Sequence, residues 1–384
     1  MSYTVKDYTP KQRMINAYKG IFSDRYPVAP EFWFYYPAKL LGVDMITLER
    51  ELPFWQSLQE TFKYFNCEGW GIVSPHYPNP EVDQKEQLVR LEEGRYESRK
   101  EITTRYGKIY SRTLFSTDEP SWITERPIKD LGKDWKVYKL YSMPPVEFAD
   151  YTEIEKALRS VGDDYLLEVY IGDPFFDYVA TAREGGLEQA IWDFNWYEDF
   201  FLSLRAEYED WMCQKTEDIC RRTSVESLFI GCSWACNSLE GPRMWRKWDK
   251  PLIKKLVKIV HKYGRLLHVH FHGKCMETLK DFVELGIDCV CPFERPPGGD
   301  VTDLNRVRRI LNGKVTMNGN VHTVETLIRG TPRDVEREVI EIIEAFRGEP
   351  RLIVGTGDQV GKETPEENIW AMIETVKKYV HVNS

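Results

Sequence analysis

Two imidazoles spaced i and i+2, His270 and His272, carry the most chemistry in this sequence. They lie in the stretch Arg265 to Glu294, RLLHVHFHGKCMETLKDFVELGIDCVCPFE, where His268, His270 and His272 alternate with apolar residues. That is the period-two pattern of a strand, in which i and i+2 point the same way. His270 and His272 therefore project side by side from the end of a strand that stops at Gly273. A helical segment follows from Met276 to Leu285, with Met276, Leu279, Phe282, Val283 and Leu285 as its apolar face, and Gly286 closes it. A second strand, Ile287 to Phe293, delivers Glu294 at its exit. Two imidazoles and a carboxylate at neighbouring strand ends can hold a metal or move protons. Parallel α/β folds place their chemistry at those strand ends.

Other residues of the right type have two readings each. His268 is either a third site imidazole or a core histidine whose ring nitrogens are satisfied internally. Asp358, in Gly355-Thr356-Gly357-Asp358, either joins the site or caps the next helix. Glu294 has a simple alternative partner in Arg295. Cys289 and Cys291 flank Val290 inside a strand and read as small core residues, since free cysteine buries readily. Cys232 and Cys236 have a zinc-like spacing with no second pair at a matching distance. His322 is a pocket residue or a helix-start residue.

The elements that position these residues are short apolar strands alternating with helices. Thr9-Pro10 opens a first helix, with Thr9 as N-cap, and it runs to about Gly20. Val28 to Tyr36 reads as a first strand ending in a crowd of aromatics, Leu52 to Phe65 as a helix, and Gly69 to Ser74 as a second strand. Later strands are expected at 166–171, 227–231, 266–272, 289–293, 314–317 and 352–354, which makes eight. Helices are expected between most of them, at 193–222, 251–263, 302–311, 331–345 and 366–379. Eight strands alternating with helices, without a glycine-rich phosphate loop, predict a (β/α)8 TIM barrel. Between about 87 and 118 the texture changes to polar–apolar alternation punctuated by Gly94 and Gly107, an antiparallel β insertion in the N-terminal third. The expectation is one barrel domain over 1–384 carrying this insertion.

With 384 residues, 42% of them apolar, the chain can bury one large core. A net charge of −9 excludes the basic stripe of a nucleic-acid binder. No apolar run is long enough for a bilayer and no leader pattern opens the chain, so no membrane association is expected. Eight scattered cysteines read as reduced thiols of a cytoplasmic protein. Twelve tryptophans and 13% aromatic residues exceed what a core needs and suit a pocket for a flat ligand.

The N-terminal TPKQRMINAYKGIFSDRYPVAP, together with MNGNVHTVETLIRGTPRDVEREV and LIVGTGDQVGKETPEENIWAMIETVKKY, resembles the uroporphyrinogen decarboxylase superfamily along nearly the whole chain. The resemblance implies a (β/α)8 barrel and leaves the reaction open, because the superfamily holds porphyrinogen decarboxylases and cobalamin-dependent methyltransferases. True decarboxylases carry arginines after the first strand and an aspartate after the second. Here those positions read Glu31-Phe32-Trp33-Phe34-Tyr35-Tyr36 and Val73-Ser74-Pro75-His76. Aromatic rings cannot neutralise a polycarboxylate, so a smaller, less anionic substrate is expected. The methyltransferase branch binds zinc through His-x-Cys-Gly and Gly-Cys motifs, which here become His270-Phe271-His272-Gly273 and Gly357-Asp358. Glu294 falls roughly where the related methionine synthases place a zinc-ligand glutamate.

The implied zinc set is then His270, His272, Asp358 and Glu294, nitrogen and oxygen in place of sulfur. Such a site is a stronger Lewis acid, better suited to an ether or phenol oxygen than to a thiol. The implied activity is methyl transfer from a small methoxylated compound, such as an aryl methyl ether, to the cobalt of a corrinoid. No corrinoid-binding half or Asp-x-His-x-x-Gly motif is visible, so the cobalamin is expected on a separate corrinoid-binding protein. His270, His272, Glu294 and Asp358 would do the chemistry. Phe32, Trp33, Phe34, Tyr35, Tyr36 and Trp234 would pack on the substrate, and Asn237 and Asn320 would orient its oxygens. Barrels of this superfamily are often dimers, so a homodimer is a further expectation. The alternatives are transfer from methyl-corrinoid to a thiol or pterin, a uroporphyrinogen decarboxylase-like carbon–carbon lyase, and a non-catalytic binding barrel.

Overall fold

Strands buried on both faces must be covered by helices, and that requirement organises this chain. The computed structural model describes residues 8–379. Strands β1 (Val28–Ala29) and β2 (Trp70–Val73) come first. A separate sheet follows: β3 (Asp83–Glu92), β4 (Arg95–Thr104), β5 (Gly107–Ser116) and β6 (Trp122–Glu125). The remaining strands are β7 (Leu166–Gly172), β8 (Ser227–Cys232), β9 (Leu266–Phe271), β10 (Cys289–Pro292), β11 (Thr316–Val321) and β12 (Leu352–Thr356). The eight strands outside the separate sheet are all parallel and pair in the order β1-β12-β11-β10-β9-β8-β7-β2, the expected barrel. Their register sets His268 beside Cys289 and His270 beside Cys291.

Among the described residues no ladder joins β1 to β2, and a side chain spans the gap. Glu68, just before β2, accepts from the Val28 N–H at 3.0 Å, from Arg25 at 2.6 and 2.8 Å, and from Arg13 at 3.1 Å. Arg13 belongs to the first helix, Pro10–Lys19, which Thr9 caps in a reciprocal pair with Gln12. Its buried face, including Met14, Ala17 and Tyr18, plugs the N-terminal end of the barrel. There Thr316 Oγ1 donates to the Ala17 carbonyl at 2.7 Å.

The antiparallel insertion is present as the four strands β3–β6, which together span Asp83–Glu125. Ile102 and Ile109 pack on Val137 of the helix Asp134–Ser142, while β3 is almost wholly exposed. Three expectations shift in detail. The first strand stops at Ala29 instead of continuing to Tyr36, because Pro30 has no N–H for a ladder, and the aromatics turn into a helix, Tyr35–Leu41. The strand expected at 314–317 runs on to Val321, carrying Asn318 and Asn320 inside it. The helix expected at 193–222 is two, Gly186–Trp196 and Glu198–Arg222. Among the described residues no helix is long and apolar enough to cross a membrane.

Candidate active site

One spacing rule builds the mouth. Glu31, Glu294 and Asp358 each lie two residues past the end of a barrel strand, namely β1, β10 and β12. His270 is the penultimate residue of β9 and His272 follows that strand directly. The neighbouring strand ends bring these groups into two trios whose donor atoms all lie within 4.8 Å of one another: Glu31, His270 and Cys291, and His272, Glu294 and Asp358. The two trios touch where His270 Nε2 meets His272 Nε2 at 2.7 Å. The four residues expected at the site are therefore together, but divided between two groups. Glu31 and Cys291 join them.

The backbone around Glu294 is shaped to aim it. Phe293 adopts a left-handed φ of +58°, rare for a residue with a side chain and costing about 1–3 kcal/mol, which the surroundings must offset. Asn320 Nδ2 donates to the Phe293 carbonyl at 3.0 Å and holds that turn. Glu294 Oε1 then accepts from the Gly273 N–H at 2.6 Å and sits 3.1 Å from His272 Nδ1. Gly273 has φ +68°, and a Cβ there would meet Ser238 Oγ at 2.2 Å, so this position requires glycine.

Electrostatics separate the two imidazoles. Burial is the main reason His270 is pushed well below the ordinary histidine range, with His272 and His268 adding to it, so it is neutral at physiological pH. Burial also works against the charge on His272. There the hydrogen bond to Glu294 and the charges of Asp358, Glu31 and Glu294 prevail, raising it to about 9. Glu31 is buried and pushed up to about 8, by desolvation first and by Asp358 second, while His272 and the Trp33 indole N–H act the other way. Burial likewise raises Asp358. The mouth thus holds a neutral imidazole, an imidazolium, and carboxyls that resist ionising together.

His268 lies deeper and is fully buried, with Nδ1 2.8 Å from Glu168 Oε2 and Nε2 3.1 Å from Cys291 Sγ. It is the internally satisfied core histidine, boxed by Trp70 and Phe229 at ring distances of 4.8 and 5.2 Å.

The expected substrate-packing residues scatter. Trp33 reaches the site, since its indole N–H donates to Glu31 while its ring stacks on Phe54 at 5.4 Å and meets Trp70 edge-on at 5.5 Å. Phe34 packs on Phe54 behind it. Phe32 and Tyr36 turn into the core: Phe32 stacks on Phe65 at 5.0 Å, and the Tyr36 hydroxyl donates to the Thr364 carbonyl. Tyr35 points to the insertion and donates to Glu119 at 2.8 Å. The Trp234 ring lies under the Arg126 guanidinium at 5.7 Å. Asn237 Nδ2 donates to Thr278 Oγ1 at 3.3 Å. Ile72 and Tyr170 were not anticipated, yet with Trp33 they form the half-buried layer over the Trp70–Phe229 floor. Asn237 Oδ1, Asn318 Nδ2, Asn320 Oδ1 and Gln359 Oε1 are buried without a hydrogen-bond partner among the described residues. Such orphans cost about 1–3 kcal/mol each when nothing binds them.

Sequence reasoning passed over Glu31 and took Cys291 for core. The signal for Glu31 was its offset from a strand end, hidden because the first strand was read as seven residues longer than it is. Cys291 shows no such signal, since only the β9–β10 register sets it beside His270.

Comparison with known proteins agrees with this architecture. The family model for uroporphyrinogen decarboxylase (URO-D) matches residues 222–379. A solved methyltransferase from Methanosarcina mazei superposes with a TM-score of 0.62 at 14% identity, covering 97% of this chain and 99% of that one. A Bacteroidetes-affiliated GH5 cellulase matches only loosely, with a TM-score of 0.36 at 12% identity over 62% of this chain and 77% of that one. No curated protein sequence matches the chain. The part of the chain that is similar to the URO-D family, residues 222–379, carries His270, His272, Glu294 and Asp358, and the likeness over the whole chain is one of fold.

Proposed function

We propose that this chain is a methyltransferase that removes the methyl group of a small methoxylated substrate, an aryl methyl ether, and passes it to a corrinoid carried by a separate protein. One observation carries the reading: an imidazolium, His272, is held charged near Glu31, whose carboxyl accepts from the Trp33 indole N–H, and aromatic residues instead of arginines follow the first strand. The shared fold with a methyltransferase supports it.

The corrinoid supplies, when its protein is bound, a nucleophilic metal centre for the methyl group. The other roles fall to residues of this chain. Trp33, Ile72 and Tyr170 receive the ring and exclude water around the methyl–oxygen bond. As that bond breaks, its electron pair stays on oxygen, and His272 gives that oxygen a proton while Glu294 keeps the ring oriented through Nδ1.

The donor set also fits zinc. Within each trio the donor atoms lie within 4.8 Å of one another and can converge on an ion whose bonds are about 2.0–2.3 Å long, and the carboxyls of the two trios outnumber their cations. Either trio, Glu31, His270 and Cys291 or His272, Glu294 and Asp358, would hold it, and at the second trio its Lewis acidity toward the departing oxygen would take the place of the proton from His272. Cys291 also favours a second reading, methyl transfer to a thiol acceptor, because it returns a sulfur donor to the site.

Elemental analysis of tag-free protein beside a His270→Ala/His272→Ala variant tests the metal. Stoichiometric zinc lost in the folded variant is the expected result. Methoxylated aromatics are then incubated with reduced corrinoid protein, and phenol release with methylation of the corrinoid is expected. Methylation of a thiol from methyl-corrinoid, with no ether consumed, would select the second reading.

A further inference from the structure

Gly355 and Gly231 both face the interior of the barrel, and they are glycine for different reasons. On β12 Ile353 packs in the interior cluster, so Gly355, two residues on, faces the same way. A Cβ there would meet Asn318 Oδ1 at 2.4 Å, so that place is already filled. On β8 Phe229 packs in the interior cluster, and Gly231 follows it on the same face. A Cβ at Gly231 would have one neighbour within 4 Å among the described residues, apart from the adjoining residues of the chain, namely Phe229 Cε1 at 3.7 Å. Gly231 lies within a strand and has no left-handed φ. Neither crowding nor backbone conformation requires glycine at this position.

The adjacent strand widens the space. β7 contributes Leu166 and Tyr170 to the interior, and then a bulge intervenes: Tyr170 pairs with Phe229 but Gly172 pairs with Ile230. The extra residue, Ile171, packs in the outer core under the helices. Gly172 faces outward as well, since a Cβ there would meet Met212 Sδ at 3.2 Å and Lys215 Nζ at 3.8 Å, both on the helix Glu198–Arg222. Register sets Gly231 beside His270, and at that level neither β7 nor β8 sends a side chain inward. Barrel interiors are normally filled by layers of side chains from alternate strands, so this layer is incomplete. Phe229 bounds the opening, with the His270 ring at 6.0 Å from it and the Tyr170 ring at 6.2 Å. Asn318, two residues past the Thr316 that pairs with Cys289, belongs to the same layer, and its buried Nδ2 has no partner among the described residues.

We propose that Gly231 is the specificity-determining position of the mouth, where the missing side chain leaves an opening over Phe229 and beside His270 that takes one planar aromatic ring. A strand glycine that nothing crowds marks a place where a ligand comes close to the backbone. Phe229 and Tyr170 give the ring apolar contact, and the Asn318 amide supplies a donor for an oxygen attached to it. The opening stands on geometry alone, whereas the identity of its occupant as an aryl methyl ether rests on the function proposed above.

The test fills the opening and reads binding apart from turnover. Guaiacol, a phenol with one neighbouring methoxyl, is titrated calorimetrically into the full chain and into Gly231→Ala and Gly231→Val, and the melting temperature of each protein is recorded. Alanine fits the strand without strain, so its melting temperature should be unchanged or higher, while the dissociation constant for guaiacol should rise about tenfold or more. Valine, larger and at home in a strand, should abolish measurable binding. If Gly231→Val fails to fold, the alanine variant decides alone. Equal affinity in wild type and variants, no binding by the wild type, or a loss of affinity matched by a fall in melting temperature would each overturn the proposal. Guaiacol bound by the wild type, lost in the folded variants, and never demethylated with reduced corrinoid protein would uphold it while removing the functional reading.

Discussion

Two of the barrel's clusters of buried charge are built on opposite principles. At the closed end Glu68 and Asp24 face Arg13 and Arg25, two carboxylates against two guanidiniums, with Arg13 forked onto Asp24 at 2.8 and 2.7 Å. Burial alone would raise Asp24, and the Arg13 guanidinium overrides it and holds the carboxyl below its ordinary range. At the mouth Glu31, Glu294 and Asp358 share one imidazolium, and Asn318 Nδ2, Asn320 Oδ1 and Gln359 Oε1 are buried with no hydrogen-bond partner among the described residues. The first cluster is complete and stitches β1 to β2. The second is short of positive charge and of hydrogen bonds, so part of its stabilisation must come from something that binds. Charge balance, more than burial or residue type, separates the structural cluster from the functional one.

The sharpest way to break that contrast is to neutralise one carboxylate in each cluster. Glu68→Ala takes the carboxylate away from the mostly buried Arg25 guanidinium and leaves Arg13 with Asp24 alone, and removing one member of a buried pair costs about 3–5 kcal/mol. Urea unfolding should show that loss, with zinc binding by the folded fraction unaltered. Glu31→Gln should do the reverse, leaving the unfolding midpoint unchanged or higher while weakening zinc binding, because it replaces a carboxyl that the fold keeps from ionising but that a metal would use. Equal destabilisation by both would mean that the mouth is as structural as the closed end.

Titration sharpens the contrast further. His272 is raised to about 9, so its contribution is fully present below its unfolded value of about 6.5 and is lost as pH rises through 9. Glu31 is raised to about 8, so the folded state favours its neutral form and stability falls as pH rises from about 4.5 to 8. Both make the folded protein bind more protons than the unfolded chain, and both slopes are downward. Lys215, buried and lowered to about 8, slopes the other way, so the informative quantity is the difference between wild type and Glu31→Gln. That difference should decline between pH 5 and 8 in metal-free protein and flatten when zinc is added. A flat difference without metal would show that Glu31 is ionised in the mouth as it is in water.

Much of this was legible in the sequence. All eight barrel strands were placed, because buried parallel strands announce themselves as short apolar runs between helices. His270 and His272 were legible because alternation fixes their common face. The division of ligands into two trios was not, since it depends on the register of β9 against β10 and on rim loops, neither of which a period reveals. The aromatic run misled because Pro30 ends its strand early and sends Phe32 and Tyr36 into the core, so alternation no longer applies to them. The contacts of His268 were hidden for a similar reason: Glu168 and Cys291 look like ordinary members of apolar strands until the barrel closes around them.

The smallest effect is expected where the insertion touches the rim, and it tests where the functional cluster ends. Glu119, in the β5–β6 connection, accepts from Tyr35 at 2.8 Å and from Lys362 at 3.2 Å, and Tyr35 and Lys362 each lie four residues past a mouth carboxylate, Glu31 and Asp358. The Lys362–Glu119 pair is about half exposed, so Glu119→Gln should cost about 0.2–1 kcal/mol at most. Charge balance predicts little else, because Glu119 brings its own cation and leaves the surplus at the mouth unaltered. Zinc affinity should therefore change less than twofold, measured by competition with a chelator, and the urea midpoint should barely move. A tenfold change in affinity with an unmoved midpoint would mean that the insertion holds the loops carrying Glu31 and Asp358 in place, and the four-stranded sheet would then belong to the site instead of merely standing beside it.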